Sequence, residues 1–430
     1  MSDQAAAIAE KNFSILNGEL YVAGLAVTQL AETYGTPLFV YDISIMDRQL
    51  DALRSALPSQ FSICYSMKAN PNPAIVRHFF SRGCGIEIAS DGEFLTAQRA
   101  GCDPKTMLFA GPGKTPAELE LVLSQGIGEI HAESLIECGR ISAICKRLGK
   151  RAHVAIRVNP TGDAAGGAMR MGGRAAPFGV DEETLDSVLV TLLNDPNVAF
   201  SGIHLFTGTQ ILDAAVLLNQ YRHGVELGRR VAQVAGRPLD TLDFGGGLGI
   251  PYFSHEKDLD LQQLKEGLSV LFADLESDPW LKRTRFLVEP GRFLVGESGV
   301  YIARVNDIKI SRGKKFLILD GGMNHHLAAS GNLGQTIKRN YPVAILNKLD
   351  AKANENVDAV GPLCTPLDTV ARNVTLPAAE IGDLFGVFQS GAYGRSSSPL
   401  GFLSHAAPPE ILIRSGRAEL IECRGGGTAA

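Results

Sequence analysis

The chain has 430 residues, and 41 Lys+Arg against 46 Asp+Glu leave a formal net charge of −5. This mildly acidic balance, with no long basic run, argues against a nucleic-acid or membrane-surface protein. No apolar run reaches the ~18–20 residues that cross a bilayer. A hydrophobic content of 45% suits a soluble chain with a large core. The seven cysteines are scattered and form no C-x-x-C pair, so neither a zinc knuckle nor a disulfide framework is indicated. With no secretory signal visible, a reduced, cytoplasmic setting is the default expectation.

In chain order, residues 1–36 hold a strand-like stretch, Phe13–Val22, expected to pair with a later β-domain. The pattern then becomes repetitive. Eight short apolar runs occur at Phe61–Met67, Gly85–Ala89, Met107–Ala110, Glu129–Ala132, His153–Val158, Gly202–Phe206, Leu242–Phe244 and Phe286–Val288. Between most of them lie segments with apolar residues three or four apart, among them Glu93–Ala100, Ala117–Gln125, Leu135–Leu148 and Leu212–Val234. Such alternation predicts parallel β/α units, and near-continuous apolar strands predict a sheet covered on both faces. Eight units over about 230 residues have the size of a (β/α)8 barrel. An open doubly wound sheet is the competing arrangement.

After Val295, runs rich in valine and isoleucine recur without long helical stretches: Val300–Val305, Lys315–Asp320, Asn356–Val360, Asp383–Gln389 and Glu410–Arg414. That predicts an all-β domain. The expected division is an N-terminal strand segment joining the β-domain (1–36), a barrel (37–290), a C-terminal β-domain (291–424) and a disordered tail (425–430).

Reactive groups in such barrels sit at the C-terminal ends of strands. The first run ends on Lys68, where partial desolvation would favour a nucleophilic amine; taken alone, the residue reads first as a surface lysine at a strand exit. The sixth run carries His204, a ring able to stack on a flat cofactor or to sit hydrogen-bonded in the core. The seventh leads into Gly245-Gly246-Gly247-Leu248-Gly249, whose backbone N–H groups could approach a phosphate; the plain alternative is a tight turn. The spacing is not G-x-G-x-x-G, so a dinucleotide fingerprint is not supported. The eighth ends Glu289-Pro290-Gly291-Arg292, a carboxylate for a protonated ring nitrogen and a guanidinium for a carboxylate or phosphate, or an ordinary ion pair. Gly113-Lys114-Thr115 resembles a P-loop end but lacks the preceding glycine, Leu108 standing in its place. His325-His326 are adjacent and are expected to be solvated or capped rather than to share a metal, and no metal is implied. Together the strand ends supply an amine, a stacking ring, a phosphate cradle and a carboxylate, a set that suits pyridoxal 5'-phosphate (PLP).

Six motifs in order, Tyr65–Asn70, His204 with Thr207–Gln210, Gly245–Gly249, Glu289–Arg292, Gly361–Cys364 and Gly391–Tyr393, resemble the fold-type III PLP-dependent decarboxylases. That group includes diaminopimelate, ornithine, lysine and arginine decarboxylases. The resemblance implies an α/β fold: a PLP-binding, alanine-racemase-like (β/α)8 TIM barrel plus a C-terminal all-β domain, in a homodimer with shared active sites. It implies Lys68 as the Schiff-base lysine, His204 stacked on the ring and Glu289 at the pyridine nitrogen. Gly245, Gly246, Gly247, Gly291 and Tyr393 would bind the cofactor, and Arg292 would contact cofactor phosphate or substrate. Cys364, from the neighbouring subunit, would return a proton to Cα. Thr365, Asp368 and Tyr393 are the remaining substrate-binding candidates, and Ser90 and Glu93 match a motif near the cofactor.

Diaminopimelate decarboxylases usually follow the cysteine with a glutamate and a serine, the glutamate reading the distal ammonium. Here the run is Cys364-Thr365-Pro366-Leu367-Asp368. This version, with Met169–Gly173, Phe178-Gly179, Pro251–Lys257, Gly321–His326 and Asn340–Pro342, is most similar to the butirosin-type enzyme that decarboxylates a glutamyl group on an acyl carrier protein. The expected substrate is an amino acid that is carrier-linked or conjugated, as in citryl-linked diamino acids. The alternatives are a free diamino-acid decarboxylase such as that for diaminopimelate, an amino-acid racemase, or a non-catalytic PLP-binding protein.

Overall fold

The computed structural model describes residues 3–161, 169–170, 175–275, 277–333, 335 and 337–425; Met171–Gly173 of the motif above and tail residues 426–430 lie outside them. The chain divides into two units, Asp51–Ile250 with Asp258–Gly291, and Met1–Leu50 with Pro251–Lys257 and Arg292–Ala430.

The first unit is the barrel. Its strands are β1 (Phe61–Ser66), β2 (Gly85–Ile88), β3 (Met107–Phe109), β4 (Glu129–Ala132), β5 (Ala152–Asn159), β6 (Val198–Leu205), β7 (Thr241–Asp243) and β8 (Arg285–Val288). Each pairs in parallel with the next, and β8 closes on β1 with Phe286 opposite Phe61. Closure excludes the open doubly wound sheet. Parallel strands require crossovers, and the helices that supply them are capped by side chains their sequences place there. Ser90 accepts from Glu93 N, and Thr115 and Glu118 form a reciprocal capping box. Gly149 ends the helix Leu135–Leu148 in a left-handed conformation that favours glycine. Phe61, Tyr221, Phe244, Phe272 and Phe286 pack against one another along the β1–β8–β7 wall, with ring centroids 4.6–6.4 Å apart.

The second unit is β-rich. Its main sheet runs Thr369–Leu376, Glu355–Val360, Lys314–Leu319, Gly299–Ser311, Leu38–Asp42, Glu410–Arg414 and Arg417–Glu422, with Leu384–Val387 also on the long strand. The N-terminal stretch lies in this unit, with Leu20 N donating to Leu346 O at 2.9 Å, but it forms more than the expected strand. Residues Asp3–Asn12 are helical, as their alanine-rich composition favours. Ser14–Leu16, Glu19–Val22 and Leu25–Ala26 form a small antiparallel sheet of their own. The strand that enters the large sheet is Leu38–Asp42, antiparallel to Gly299–Ser311 and parallel to Glu410–Arg414. All five of its residues are buried, so it has no solvent face and no alternating pattern to announce it. Leu20, Val22, Leu30, Leu38, Val40, Val300, Ile302, Leu346, Ile411 and Ile413 share the core of this unit. Of the two expected alternatives, solvated or capped, His325 and His326 are not solvated: both are buried, and His326 Nε2 lies 2.9 Å from Ser390 Oγ. Among the described residues no helix is long and apolar enough to cross a membrane.

Candidate active site

After β1 the chain makes one 3-10 turn, Met67–Ala69, which carries Lys68. The Lys68 ammonium lies 3.3 Å from both oxygens of Glu87 on β2 and 5.7 Å from the centre of the Phe206 ring. The Lys68 side chain is 43% exposed and that of Glu87 only 1%. The desolvation expected from the sequence is therefore not what sets this amine apart; a buried carboxylate faces it instead. Ser66 Oγ donates to the same carboxylate at 2.5 Å.

His204 and Glu289 meet inside the barrel. His204 Nε2 is 3.4 Å from Glu289 Oε2, and both side chains are buried. Burial pushes His204 down to about 4 in spite of Glu289, so the ring is neutral at pH 7. Burial also opposes charge on Glu289. The groups beside it, His204, His131 and Lys68, outweigh that and hold its carboxyl below the usual range. Asp243, at the end of β7, goes the other way: burial, and then the Glu289 charge, push it well above the ordinary range.

The residues after β7 form a backbone cradle. Gly245 has φ +67° and Gly247 φ +102°, where side chains are strained. A Cβ on Gly246 would stand 2.6 Å from Glu289 O, and one on Gly245 2.5 Å from Leu205 O. Gly245 N donates to Asp243 Oδ1 at 2.7 Å, while the N–H groups of Gly246 and Gly247 have no acceptor among the described residues. A Cβ on Gly291 would meet Ala69 Cβ at 2.8 Å, so this glycine lets the strand-eight exit lie against the lysine turn.

In the β-rich unit, Arg292 Nη1 donates to the Tyr252 hydroxyl at 3.0 Å, and its guanidinium lies 4.7 Å from the centre of the Tyr393 ring. Tyr252 and Tyr341 pack at 4.5 Å between centroids. Cys364 is exposed and is the most accessible of the seven cysteines. Thr365 Oγ1 accepts from Leu367 N at 3.3 Å. Asp368, read from sequence as a substrate contact, is turned inward: it is 2% exposed and accepts from Met323 N at 2.6 Å and Leu363 N at 2.9 Å. Its carboxylate fixes the turn that displays Cys364.

Ser90 is a helix cap, and Glu93 accepts from Ala89 N at 2.7 Å; burial, then Glu87, raise its carboxyl to about 7. Lys114 of the discarded P-loop match is buried and bonded to Glu137 at 2.8 Å. Sequence reasoning passed over Glu87, His131, Asp243 and Tyr252. The first three alternate with apolar neighbours on barrel strands, and inward-facing polar residues near strand ends were the available signal.

The residue set fits PLP. Both ring nitrogens of His204 and Oε1 of Glu289 are buried without a hydrogen bond, two glycine N–H groups are open, and a lysine amine stands beside them. The family model for the pyridoxal-dependent decarboxylase pyridoxal-binding domain matches residues 44–296, more than half of the chain. The chain belongs to the pyridoxal-dependent decarboxylases.

Its relatives agree with that assignment. The chain is 38% identical to the L-glutamyl-[BtrI acyl-carrier protein] decarboxylase of Niallia circulans, over 93% of this chain and 94% of that one. It is 30% identical to the 2-[(L-alanin-3-ylcarbamoyl)methyl]-2-hydroxybutanedioate decarboxylase of Staphylococcus aureus, over 89% and 95% of the two chains. The crystal structure of diaminopimelate decarboxylase from M. jannaschii in complex with L-lysine superposes with a TM-score of 0.88 at 26% identity, covering 97% of this chain and 96% of that one. This pyridoxal-dependent decarboxylase is thus a carboxy-lyase whose cofactor is PLP, built as a TIM barrel with a β-rich unit.

Proposed function

We propose that this decarboxylase removes the α-carboxylate of an amino acid whose far end is linked to a larger group, such as a glutamyl unit on a carrier protein or a citryl-linked diamino acid. One observation carries the choice. The loop bearing Cys364 contains a single acid, Asp368, and that carboxylate is committed to the N–H groups of Met323 and Leu363. A free diamino acid presents a distal ammonium, and this loop offers it no carboxylate. A substrate whose distal group is an amide or thioester needs none. The named substrates of the Niallia circulans and Staphylococcus aureus relatives support the same class.

In this reading Lys68 holds the cofactor through its amine, the N–H groups of Gly246 and Gly247 bind the phosphate in the turn that Gly245 shapes, and the neutral His204 ring supplies a flat face. Glu289 keeps a proton on the ring nitrogen. PLP, when bound, supplies the electron sink for the pair left behind as CO2 departs. Arg292 and Tyr393 contact phosphate or substrate carboxylate, with Gly291 allowing the close approach of the lysine turn. Cys364 returns a proton to Cα, contributed by the second copy of a homodimer, and Thr365 borders the substrate. The carboxylate at the ring nitrogen favours full electron withdrawal and hence decarboxylation over racemisation. The enzyme works in the cytoplasm.

The test is a CO2-release screen against diaminopimelate, free diamino acids, citryl conjugates and glutamyl-loaded carrier protein, read by mass spectrometry. Turnover confined to conjugated or carrier-linked substrates is the expected result. Diaminopimelate turned over at a kcat/KM equal to or above that of every conjugate would overturn it.

A further inference from the structure

A second imidazole in the barrel has no part in the roles above. His131 lies on β4, fully buried, its ring stacked on His204 with centroids 4.4 Å apart. Its Nε2 is 3.1 Å from Glu129 Oε1, and Glu129 Oε2 in turn accepts from Thr241 Oγ1 at 2.8 Å. Its Nδ1 faces Glu289 Oε1 at 3.7 Å, while His204 Nε2 faces Glu289 Oε2 at 3.4 Å. Each oxygen of one buried carboxylate is therefore met by a different ring of a stacked pair. One donor atom from each of His131, His204 and Glu289 lies within 4.8 Å of the others.

We propose that His131 is a positioning residue for Glu289: the line Thr241–Glu129–His131 fixes the Glu289 carboxylate in the orientation, and in the ionised form, in which it meets the cofactor's ring nitrogen. The inference rests on the assignment of Glu289 to that nitrogen.

Three observations support it. Oε1 of Glu289 and Nδ1 of His131 are both buried without a hydrogen-bond partner and face each other at 3.7 Å, so each is the other's nearest polar complement. Asp243 Oδ2 is 3.9 Å from His131 Nε2, so the ring also stands beside a second buried acid of the barrel. Burial and the Glu289 charge both oppose ionisation of Asp243, and the His131 ring faces the two acids at 3.9 and 3.7 Å. The backbone that carries the ring is anchored as well: Lys114 Nζ donates to His131 O at 2.7 Å.

The test uses the full chain loaded with PLP labelled with 15N in its ring. The readouts are the 15N shift of the bound ring against pH, the PLP dissociation constant, and kcat and KM. In His131→Leu the ring nitrogen is expected to lose its proton at a pH at least one unit lower than in the wild type. PLP should bind at least tenfold more weakly, and kcat should fall with KM within twofold. His131→Asn, which can still donate to one carboxylate, should recover most of the 15N shift. Glu129→Gln should move the shift in the same direction as His131→Leu, and together with His131→Asn it carries the test if the leucine variant does not fold. Unchanged 15N titrations in Glu129→Gln and in whichever His131 variant folds would overturn the proposal. Glu289→Gln reports separately on the parent assignment: a ring nitrogen that stays protonated in that variant removes Glu289 from its role, whatever His131 does.

Discussion

The ammonium of Lys68 stands 3.3 Å from both carboxylate oxygens of Glu87, and Glu87 is also held by Ser66. This anchors a half-exposed lysine at the exit of β1 by a partner on the neighbouring strand. Borohydride reduction of the PLP-loaded enzyme should fix a pyridoxyl group at Lys68. Lys68→Ala should lose that adduct, the visible absorbance, and at least about a thousandfold in turnover, as expected for a nucleophile with no substitute. Glu87→Gln should keep the adduct but lower turnover about tenfold, because the amine keeps its place and loses its charged partner. An adduct on another lysine in the wild type would refute the assignment.

The glycine cradle gives a prediction that separates cofactor binding from general stability. A Cβ at position 246 would meet Glu289 O at 2.6 Å, a backbone atom that cannot swing away. Gly246→Ala should therefore weaken PLP binding at least about tenfold and cost ~1–3 kcal/mol of stability through overpacking. Gly113→Ala is the control, since nothing lies within 4 Å of its Cβ and its φ is not positive. Equal PLP affinities for the two variants would show that the cradle does not touch the cofactor.

Acid sensitivity follows from buried neutral histidines. Burial lowers His326 to about 3 and His204 to about 4, against 6.5 for a free imidazole. Below pH 6.5 the unfolded chain takes up protons that the folded one refuses, so stability is present above 6.5 and is lost as pH falls toward the folded values. Between pH 6.5 and 5 a single such histidine removes about 2 kcal/mol. His326 lies in the β-rich unit, where Ala329 N donates to its Nδ1 at 3.3 Å and Ser390 stands at Nε2. His326→Gln should flatten the fall in urea midpoint over that pH interval. The measurement is urea unfolding at several pH values in the wild type and the variant; identical slopes would exclude this histidine as the cause.

The barrel was legible because its strands are buried on both faces and its helices are amphipathic, so two periods alternate plainly along the chain. All eight predicted runs overlap barrel strands, with ends moved by a few residues. Leu38–Asp42 was not legible as part of the β-rich sheet, since its pairing with residues some 260 and 370 positions later depends on tertiary context rather than on local pattern. The site divides in the same way. Lys68, His204 and Glu289 end strands and stand out by type. His131 and Asp243 matter through the carboxylates they face, at 3.7 Å and across the same barrel interior, and a one-dimensional reading has no access to such neighbours.

Asp368 offers the sharpest separation between a substrate contact and a structural one. Its two oxygens accept from Met323 N and Leu363 N, and its backbone closes the turn to Gly361 N at 3.1 Å. Asp368→Asn replaces one acceptor by an NH2 group that cannot accept from a backbone N–H, a loss of ~1–3 kcal/mol concentrated in the Cys364 loop. If the acid positions the loop, kcat should fall about tenfold or more with KM nearly constant. The labelling rate of Cys364, the most accessible thiol, should change with it. Cys364→Ala should show the same kcat effect and no further loss when combined with Asp368→Asn, since both act through one proton transfer. If instead Asp368 binds substrate, its variant should raise KM, leave the labelling rate untouched, and add to the cysteine variant. Steady-state kinetics and timed maleimide labelling of the three variants distinguish the two patterns.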